Sequence, residues 1–282
     1  MKLKIYGTCA AEGFPAMFCS CTVCENARKW GGKNIRTRSQ AVIDDKILID
    51  FSADTYFHVL SYGLDLRKIK ACFITHGHDD HLYPHDLKYR IEKYGHSKEG
   101  EAENKKPLPV FATKESGESL KKIIESEVNK KDENALRFKE ITPFKSIDIE
   151  GYRVTPVKAS HAQSLNPCFY IFEKDDKAIL WAHDTGYFPD ETWDYIENSG
   201  IKFDFVSLDC TSTADEKAFS HHMGLKACCD VKERLLNKNA DEKTVFLLNH
   251  FSHNGGLCYD ELVPIAEKHG FLVSYDTIEF EI

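Results

Sequence analysis

The stretch CFITHGHDDHLYPHD, residues 72–86, constrains this chain more than any other segment, because it holds four histidines and three aspartates. A buried core does not accommodate so many hydrated groups, since burying one polar group without a partner costs about 1–3 kcal/mol. The run IKACFI ahead of the cluster predicts a buried strand, and α/β proteins often carry functional loops at the carboxyl ends of their strands. We therefore interpret the cluster as a functional site rather than as a solvated loop or a set of helix-capping histidines.

The spacing of the cluster follows the pattern H-x-H-x-D-H, formed by His76, His78, Asp80 and His81. His76 and His78 lie two residues apart on an extended backbone, so their side chains point to the same side and can bind one ion. Asp80 and His81 are adjacent in sequence and can turn towards a second, neighbouring ion. Imidazole and carboxylate are ligands that zinc, manganese and iron accept, so the pattern indicates a two-metal site.

The same arrangement recurs downstream, where three further apolar runs end in residues that can bind metals. His161 follows VKAS, Asp184 follows ILWA together with His183, and both His250 and His253 follow VFLLN. Taken singly, each is compatible with an ordinary polar residue at a strand end. Together with the first cluster, they supply a complete set of ligands for two ions.

On these motifs the chain resembles the metallo-β-lactamase-fold hydrolase superfamily over nearly its whole length. The resemblance implies an α/β fold, namely an αββα sandwich of two mixed β-sheets flanked by helices, with the metals at one edge of the sheets. It also implies that Asp50 supports the histidine motif, since a ligating histidine needs an acceptor for its other N–H. The implied ligands are His76, His78 and His161 for one ion, Asp80, His81 and His250 for the other, and Asp184 as the bridge.

A second candidate metal site lies near the start of the chain, where FCSCTVCENAR contains Cys19, Cys21 and Cys24. Without a visible export signal, ten cysteines favour reduced thiols, and clustered ones then favour metal binding over disulfides. Three thiolates and one distant histidine suit a Cys3His zinc site, with inert thiols as the alternative. The segments GTCAAEGFP, CSCTVC and NHFSH resemble phosphonate-pathway cyclic phosphodiesterases of the PhnP type, which implies His253 as the fourth ligand of a closed structural zinc site.

One more histidine is implicated by the segment FSHHMGL, which resembles the H-x-x-L context found in the family. The resemblance implies that His222, rather than His221, contacts the substrate phosphate or protonates the leaving oxygen, with a helix N-cap or packing role as the alternative. Asp209 matches a polar strand end in the family, without an assigned role.

Asp79 and His85 fall outside the H-x-H-x-D-H pattern. We therefore expect Asp79 to orient a neighbour or face solvent, and His85 to be an N-cap or a surface residue.

Two segments depart from the family pattern. The opening loop, usually rich in glycine, reads Cys9, Ala10, Ala11 and Glu12 here, and we expect this to change substrate preference while leaving the metals intact. Residues 97–106, SKEGEAENKK, carry no large apolar side chain and predict a solvated loop or an insertion.

The remaining pattern predicts a single domain over residues 1–282. QAVIDDKILIDF predicts a hairpin about Asp44 and Asp45, and residues 141–180, FDFVSLD and TVFLLN predict further strands. The segments ESLKKIIESEVNK, ETWDYIENSG and LKACCDVKERLLN predict helices. Since no export signal and no apolar run of about 20 residues is visible, we expect a cytoplasmic protein that does not cross a membrane.

Charge and chemistry narrow the expected partners. A net charge of -8 disfavours electrostatic binding of long nucleic acids. A small anionic substrate remains compatible, because the positive charge of bound metal ions would dominate locally at the site. Two zinc or manganese ions, with iron as a third candidate, would lower the pKa of a bridging water and offset charge on phosphoryl oxygens. We therefore expect a metal-dependent phosphodiesterase for a small phosphodiester, cyclic or nucleotide-like, with a homodimer as a candidate assembly.

Two alternatives stay open. The first is another hydrolase of the same fold: a thioester hydrolase, a β-lactamase or a tRNA-processing endonuclease. The commonest β-lactamases use cysteine where this chain offers Asp184, and the chain has no long basic segment of the kind that an RNA nuclease would use. The early cysteine cluster is also shared with PqqB-like relatives, so a non-hydrolytic metalloprotein or oxidoreductase is the alternative of a different class.

Overall fold

The apolar runs of the sequence become the strands of two β-sheets in the computed structural model, which describes residues 1–96 and 106–282. The strands are β1 (Lys2–Gly7), β2 (Gln40–Ile43), β3 (Ile47–Ile49), β4 (Ala71–Phe73), β5 (Leu108–Ala112), β6 (Leu136–Glu140), β7 (Ile147–Ile149), β8 (Tyr152–Lys158), β9 (Cys168–Lys174), β10 (Lys177–Ala182), β11 (Phe205–Asp209), β12 (Val245–Asn249), β13 (Leu272–Val273) and β14 (Glu279–Glu281). The helices are α1 (Thr22–Trp30), α2 (Thr55–Ser61), α3 (Pro84–Leu87), α4 (Glu118–Ile123), α5 (Asp190–Asn198), α6 (Leu225–Leu236) and α7 (Tyr259–Ala266).

Each sheet has seven strands and mixes parallel with antiparallel pairing. The first has the order β14-β1-β2-β3-β4-β5-β6, parallel from β3 onwards, and the second has the order β13-β12-β11-β10-β9-β8-β7, parallel from β13 to β10. The predicted sandwich of two mixed sheets is therefore confirmed. The single domain over residues 1–282 stays a prediction, which the pairing of β1 with β14 supports.

Both faces of the central strands are buried, which explains why their sequences are almost continuously apolar. In β4, Phe73 points into the core between the sheets and Cys72 points into the core beneath the helices. In β10, Ile179 and Trp181 lie between the sheets, while Leu180 faces the helical layer. Helices α2, α3 and α4 cover the first sheet, and α5, α6 and α7 cover the second, which completes the αββα arrangement.

The local predictions agree with the structure at the hairpin and at the helices, with one strand missed. Residues 44–46 join β2 to β3, where Asp44 and Asp45 have left-handed φ of 49° and 57° and the Lys46 N–H donates to the Ile43 carbonyl across them. Strand β6 was not anticipated, because only Leu136 and Phe138 face the core of this edge strand and charged residues surround them. Residues 97–105 of the predicted charged loop lie outside the described residues.

Replacement of Phe73 should test how much the core between the sheets stabilises the fold. Its buried ring stacks on Phe111 with centroids 4.6 Å apart, so Phe73→Ala should lower the free energy of unfolding by about 3–5 kcal/mol through lost burial and a cavity. Urea denaturation measures the change. As a control, Phe18→Ala removes the same ring from a fully exposed position and should stay within about 0.5 kcal/mol. Equal losses in the two variants would contradict this assignment of the core.

Candidate metal centre

Strands from both sheets end at one edge and carry the predicted ligands there. From the first sheet, β3 leads into Asp50 and β4 leads into the H-x-H-x-D-H motif. From the second sheet, β8, β10, β11 and β12 end at or just before His161, Asp184, Asp209 and His250 respectively. The structure thus brings together side chains that lie up to about 200 residues apart in the sequence.

The backbone turns sharply at three of these strand ends. Asp50, Asp184 and His250 have φ of 63°, 49° and 60°, in the left-handed region. Aspartate and histidine occupy this region more readily than most residues with a side chain, and such conformations cluster at functional sites. The turn directs each side chain into the edge of the sandwich instead of along the strand.

The first group of ligand atoms contains three imidazoles and one carboxylate. One atom from each of His76, His78, His161 and Asp184 lies within 4.8 Å of the others. His78 Nδ1 is 2.8 Å from His76 Nε2 and 3.4 Å from His161 Nε2, and His76 Nε2 is 3.2 Å from Asp184 Oδ2. These nitrogens therefore converge on a single point.

The second group contains Asp80, His81, His250 and again Asp184. His81 Nε2 lies 2.8 Å from Asp184 Oδ2, 3.2 Å from Asp80 Oδ2 and 3.2 Å from His250 Nε2. Oδ2 of Asp184 thus faces both groups, while its Oδ1 is buried and accepts no hydrogen bond from the described residues. A carboxylate oxygen that lacks a donor, surrounded by imidazole nitrogens, fits a centre for two divalent ions.

The ring nitrogens that do not face the centre are held by hydrogen-bond acceptors. His81 donates from Nδ1 to Asp50 Oδ2 at 2.7 Å, and Thr75 donates its backbone N–H to the same carboxylate at 2.8 Å. His250 Nδ1 lies 2.9 Å from the Thr211 hydroxyl, which donates to the His250 carbonyl and so accepts from the ring. These contacts leave Nε2 of both histidines free for an ion, as expected for ligating histidines. The supporting role of Asp50 was predicted from the sequence, whereas the roles of Thr75 and Thr211 were not.

The imidazoles and carboxylates of the centre shift one another's pKa. Burial alone would raise the pKa of Asp184, but the imidazoles of His250, His81 and His76 outweigh it and hold that pKa well below its usual range. Burial likewise opposes the charged form of His81, but Asp80 and its neighbouring carboxylates raise the pKa of that ring well above its ordinary value.

His222 lies beside the centre, where Asp209 orients its ring. His222 Nδ1 is 3.0 Å from Asp209 Oδ2 and 3.3 Å from Asp184 Oδ1, and Asp209 also accepts the N–H of Met223. Burial lowers the pKa of His222, but Asp209 outweighs this effect and raises it to about 9. Helix α6 is capped by Gly224, so His222 is not its N-cap.

Two exposed residues near the centre belong to neither of these ligand groups. His221 accepts the Nδ1–H of His161 through its carbonyl at 3.1 Å, and its ring lies edge-on to the His161 ring with centroids 6.3 Å apart. Asp79 is exposed and belongs to neither ligand group among the described residues. The expectation that Asp79 faces solvent agrees with the structure.

His183 and His85 lie outside both ligand groups. His183 is fully buried, with Nε2 2.7 Å from the Ser207 hydroxyl, and so has a structural contact in the core. His85 is exposed within α3, whose N-cap is Tyr83, so the surface interpretation was right and the N-cap interpretation was wrong.

A further group at the sheet edge contains Asp184, Asp209, His222 and His250, and the cysteine cluster forms a separate group away from that edge. Atoms of Cys19, Cys21, Cys24 and His253 lie within 4.8 Å of one another, and His253 Nδ1 is 3.5 Å from the sulfurs of both Cys19 and Cys21. All ten cysteines are free thiols. The Cys24 backbone N–H and the His253 ring lower the pKa of Cys21 to about 6, which favours its thiolate, whereas burial raises the pKa of Cys24 to about 12. These residues fit a closed zinc site.

Within the described ranges, no helix is both long enough and apolar enough to span a membrane.

Comparison with known proteins places this geometry in a family. The profile of the beta-lactamase superfamily domain matches residues 45–246. Exodeoxyribonuclease WalJ from Streptococcus pneumoniae, in each of two strains, is 33% identical over 135 residues, which are 46% of this chain. The match spans only 42% of that relative's length.

Solved structures agree over the whole chain. A diphosphatase from the PhnP family superposes with a TM-score of 0.73 at 20% identity, covering 100% of this chain and 97% of that one. Zinc-bound PqqB from Methylobacterium extorquens gives 0.74 at 16% identity with both chains fully covered. Human tRNase Z, short form, gives 0.65 at 15% identity, covering 100% and 99%. The chain therefore belongs to the beta-lactamase superfamily and has the metallo-β-lactamase fold of metal-dependent hydrolases.

Proposed function

We propose that this protein is a dinuclear metal-dependent phosphodiesterase that cleaves a small phosphodiester. The observation that carries the proposal is the position of Asp184, whose Oδ2 faces both ligand groups while His222 lies 3.3 Å from its Oδ1. A shared carboxylate suits two adjacent cations, and the neighbouring imidazole suits proton transfer to a leaving group.

The ligand sets follow from the two groups of atoms. His76, His78 and His161 would hold one ion, Asp80, His81 and His250 the other, and Asp184 would bridge them. Divalent ions bound there, whether zinc, manganese or iron, supply Lewis acidity that lowers the pKa of water towards neutrality and offsets charge on phosphoryl oxygens. Asp50 and Thr211 keep two of the ligating rings in the tautomer that this arrangement needs.

His222, oriented by Asp209, would donate a proton to the leaving oxygen. Because Nδ1 of His222 contacts Asp209, the opposite nitrogen is the one available to a substrate. Asp209 fixes the ring plane and favours its protonated form, which is the form that can donate to a departing alkoxide. The side chain of His222 keeps 29% of its surface exposed, so a substrate can approach it.

The charge of the chain and the activity of one structural relative both favour a small phosphodiester substrate. A net charge of -8 favours a small substrate, and the PhnP-family structure is described as a diphosphatase. A second candidate is removal of nucleotides from DNA ends, because the relative with 33% identity is named an exodeoxyribonuclease. The fold shared with PqqB makes a non-hydrolytic metalloprotein the outcome if no phosphodiester is cleaved.

Turnover of bis-p-nitrophenyl phosphate tests the proposed reaction. Protein loaded with zinc or manganese should release p-nitrophenolate, and Asp184→Ala should lower the rate by about 100-fold or more, because both ions lose a shared ligand. Asp79→Ala is the matched control and should largely keep the activity, since Asp79 faces solvent. Two bound ions without turnover under any divalent metal would contradict a phosphodiesterase. Faster cleavage of end-labelled DNA than of small diesters would favour the exonuclease instead.

The role of His222 predicts a dependence on the leaving group. His222→Ala should slow cleavage of diesters with poor, alkoxide-like leaving groups by about 100-fold or more, and should affect p-nitrophenolate release far less, because that group departs without a proton. Rates over a series of aryl and alkyl diesters measure this difference. His221→Ala, which alters the exposed neighbour, should change neither rate. An equal loss over the whole series would show that His222 binds phosphate rather than donating a proton.

Metal analysis should separate the two kinds of site. We expect about three ions per chain, and His78→Ala should reduce the content at the sheet edge while keeping the cysteine-bound ion. Cys21→Ala should do the reverse, because its thiolate belongs only to the cysteine group. Elemental analysis gives the counts, and a variant with both substitutions should lose the sum of the two single losses. A double variant that loses no more metal than one of the single variants would contradict two independent sites.

A further inference from the structure

Glu12 lies in the opening loop and contacts the turn that carries His253. Its carboxylate accepts a short hydrogen bond from the Ser252 hydroxyl, and its Oε1 is 3.6 Å from His253 Nε2. Ser252 in turn accepts the backbone N–H of Asn254 and caps the short helical turn His253–Gly255. The loop and the turn are thus joined by side chains that lie about 240 residues apart in sequence.

The orientation of the His253 ring decides what this contact does. Nδ1 faces the sulfurs of Cys19 and Cys21, both at 3.5 Å, so Nδ1 is the nitrogen that a bound zinc would take. The proton of the neutral ring must then lie on Nε2, and Nε2 points towards Glu12. A ligating histidine usually donates its other N–H to an acceptor, which fixes the tautomer and strengthens the ligand.

The histidines of the sheet edge already show this arrangement in the same molecule. His81 donates to Asp50, and His250 donates to Thr211, in each case from the nitrogen that does not face the metal group. For His253, Glu12 is the group in the corresponding place.

We propose that Glu12 is a positioning residue of the cysteine zinc site, and that its carboxylate, 3.6 Å from Nε2 of His253, faces the N–H of that ring and holds the ring towards the thiolates. The inference rests on the proposed Cys3His site and not on the proposed reaction. It assigns to the opening loop a role in metal retention, in addition to the expected effect on substrate preference.

A change that keeps the charge separates this role from general electrostatics. Release of a divalent ion removes two positive charges from beside Glu12, so loss of its carboxylate charge alone would also weaken metal retention. Glu12→Asp keeps the charge but draws the carboxylate back by one methylene. Faster release from Glu12→Asp therefore supports positioning of His253, whereas release at the wild-type rate would show that only the charge matters.

Exchange of cobalt provides the measurement. Cobalt bound by thiolates absorbs through charge transfer from sulfur, and the described ligands at the sheet edge contain no sulfur, so this absorption reports the cysteine site alone. In protein loaded with cobalt, Glu12→Gln should speed the loss of this absorption to a chelator by about 10-fold, and Glu12→Ala by up to about 100-fold. The glutamine keeps an oxygen that can accept the Ser252 hydroxyl, so the turn retains its hydrogen bond.

Two controls make the result specific. Glu25→Gln removes a carboxylate from the first turn of α1, close to the thiolates but paired with Arg28, and should not speed release. Ser252→Ala removes the contact through the hydroxyl but keeps the Glu12 charge, and should have a smaller effect than Glu12→Ala. Release from Glu12→Gln at the wild-type rate or slower would overturn the role of Glu12. Wild-type protein without thiolate-to-cobalt absorption would overturn the cysteine site and this inference with it, whereas turnover of bis-p-nitrophenyl phosphate would still judge the reaction separately.

Discussion

The structure depends on the placement of one buried carboxylate between imidazoles from both sheets. Asp184 follows a strand of the second sheet, whereas His76 and His81 follow a strand of the first, and Oδ2 of Asp184 lies within 3.2 Å of a nitrogen from each ring. A buried carboxylate without such partners would be neutralised by burial. The packing of the two sheets therefore has to be correct at this edge before the charges can offset one another.

Most of the fold was predictable from the sequence, because the signals are local. Strands buried on both faces have apolar runs, the hairpin at Asp44 and Asp45 has turn residues that tolerate left-handed angles, and the ligands follow the strands directly. Strand β6 was missed because an edge strand buries only one side of a charged segment. Its alternation of Leu136 and Phe138 with charged residues is the signal that could have identified it.

The metal ligands of the candidate site were predictable from the sequence, but most of the residues that orient the histidine rings were not. Asp209, Thr211 and Glu12 act through contacts with residues 13 to 241 positions away, and short polar residues of this kind have no characteristic spacing. Only the packing of loops from different strands reveals which acceptor faces which ring. The identity of the ligands can be read from the sequence, whereas the tautomer of each histidine ring is known only from its contacts in the tertiary structure.

The left-handed backbone at Asp50, Asp184 and His250 has a consequence for the way such a protein can change. Each of these angles costs about 1 kcal/mol for a residue with a Cβ, so the sheet edge is less stable than the same edge would be with glycine. Glycine at these positions would remove the cost of the left-handed φ angle but would also remove the side chain that the site uses. Selection for thermal stability and selection for chemistry therefore oppose each other at these three positions, and a lineage that no longer needed the chemistry would be free to relax them first.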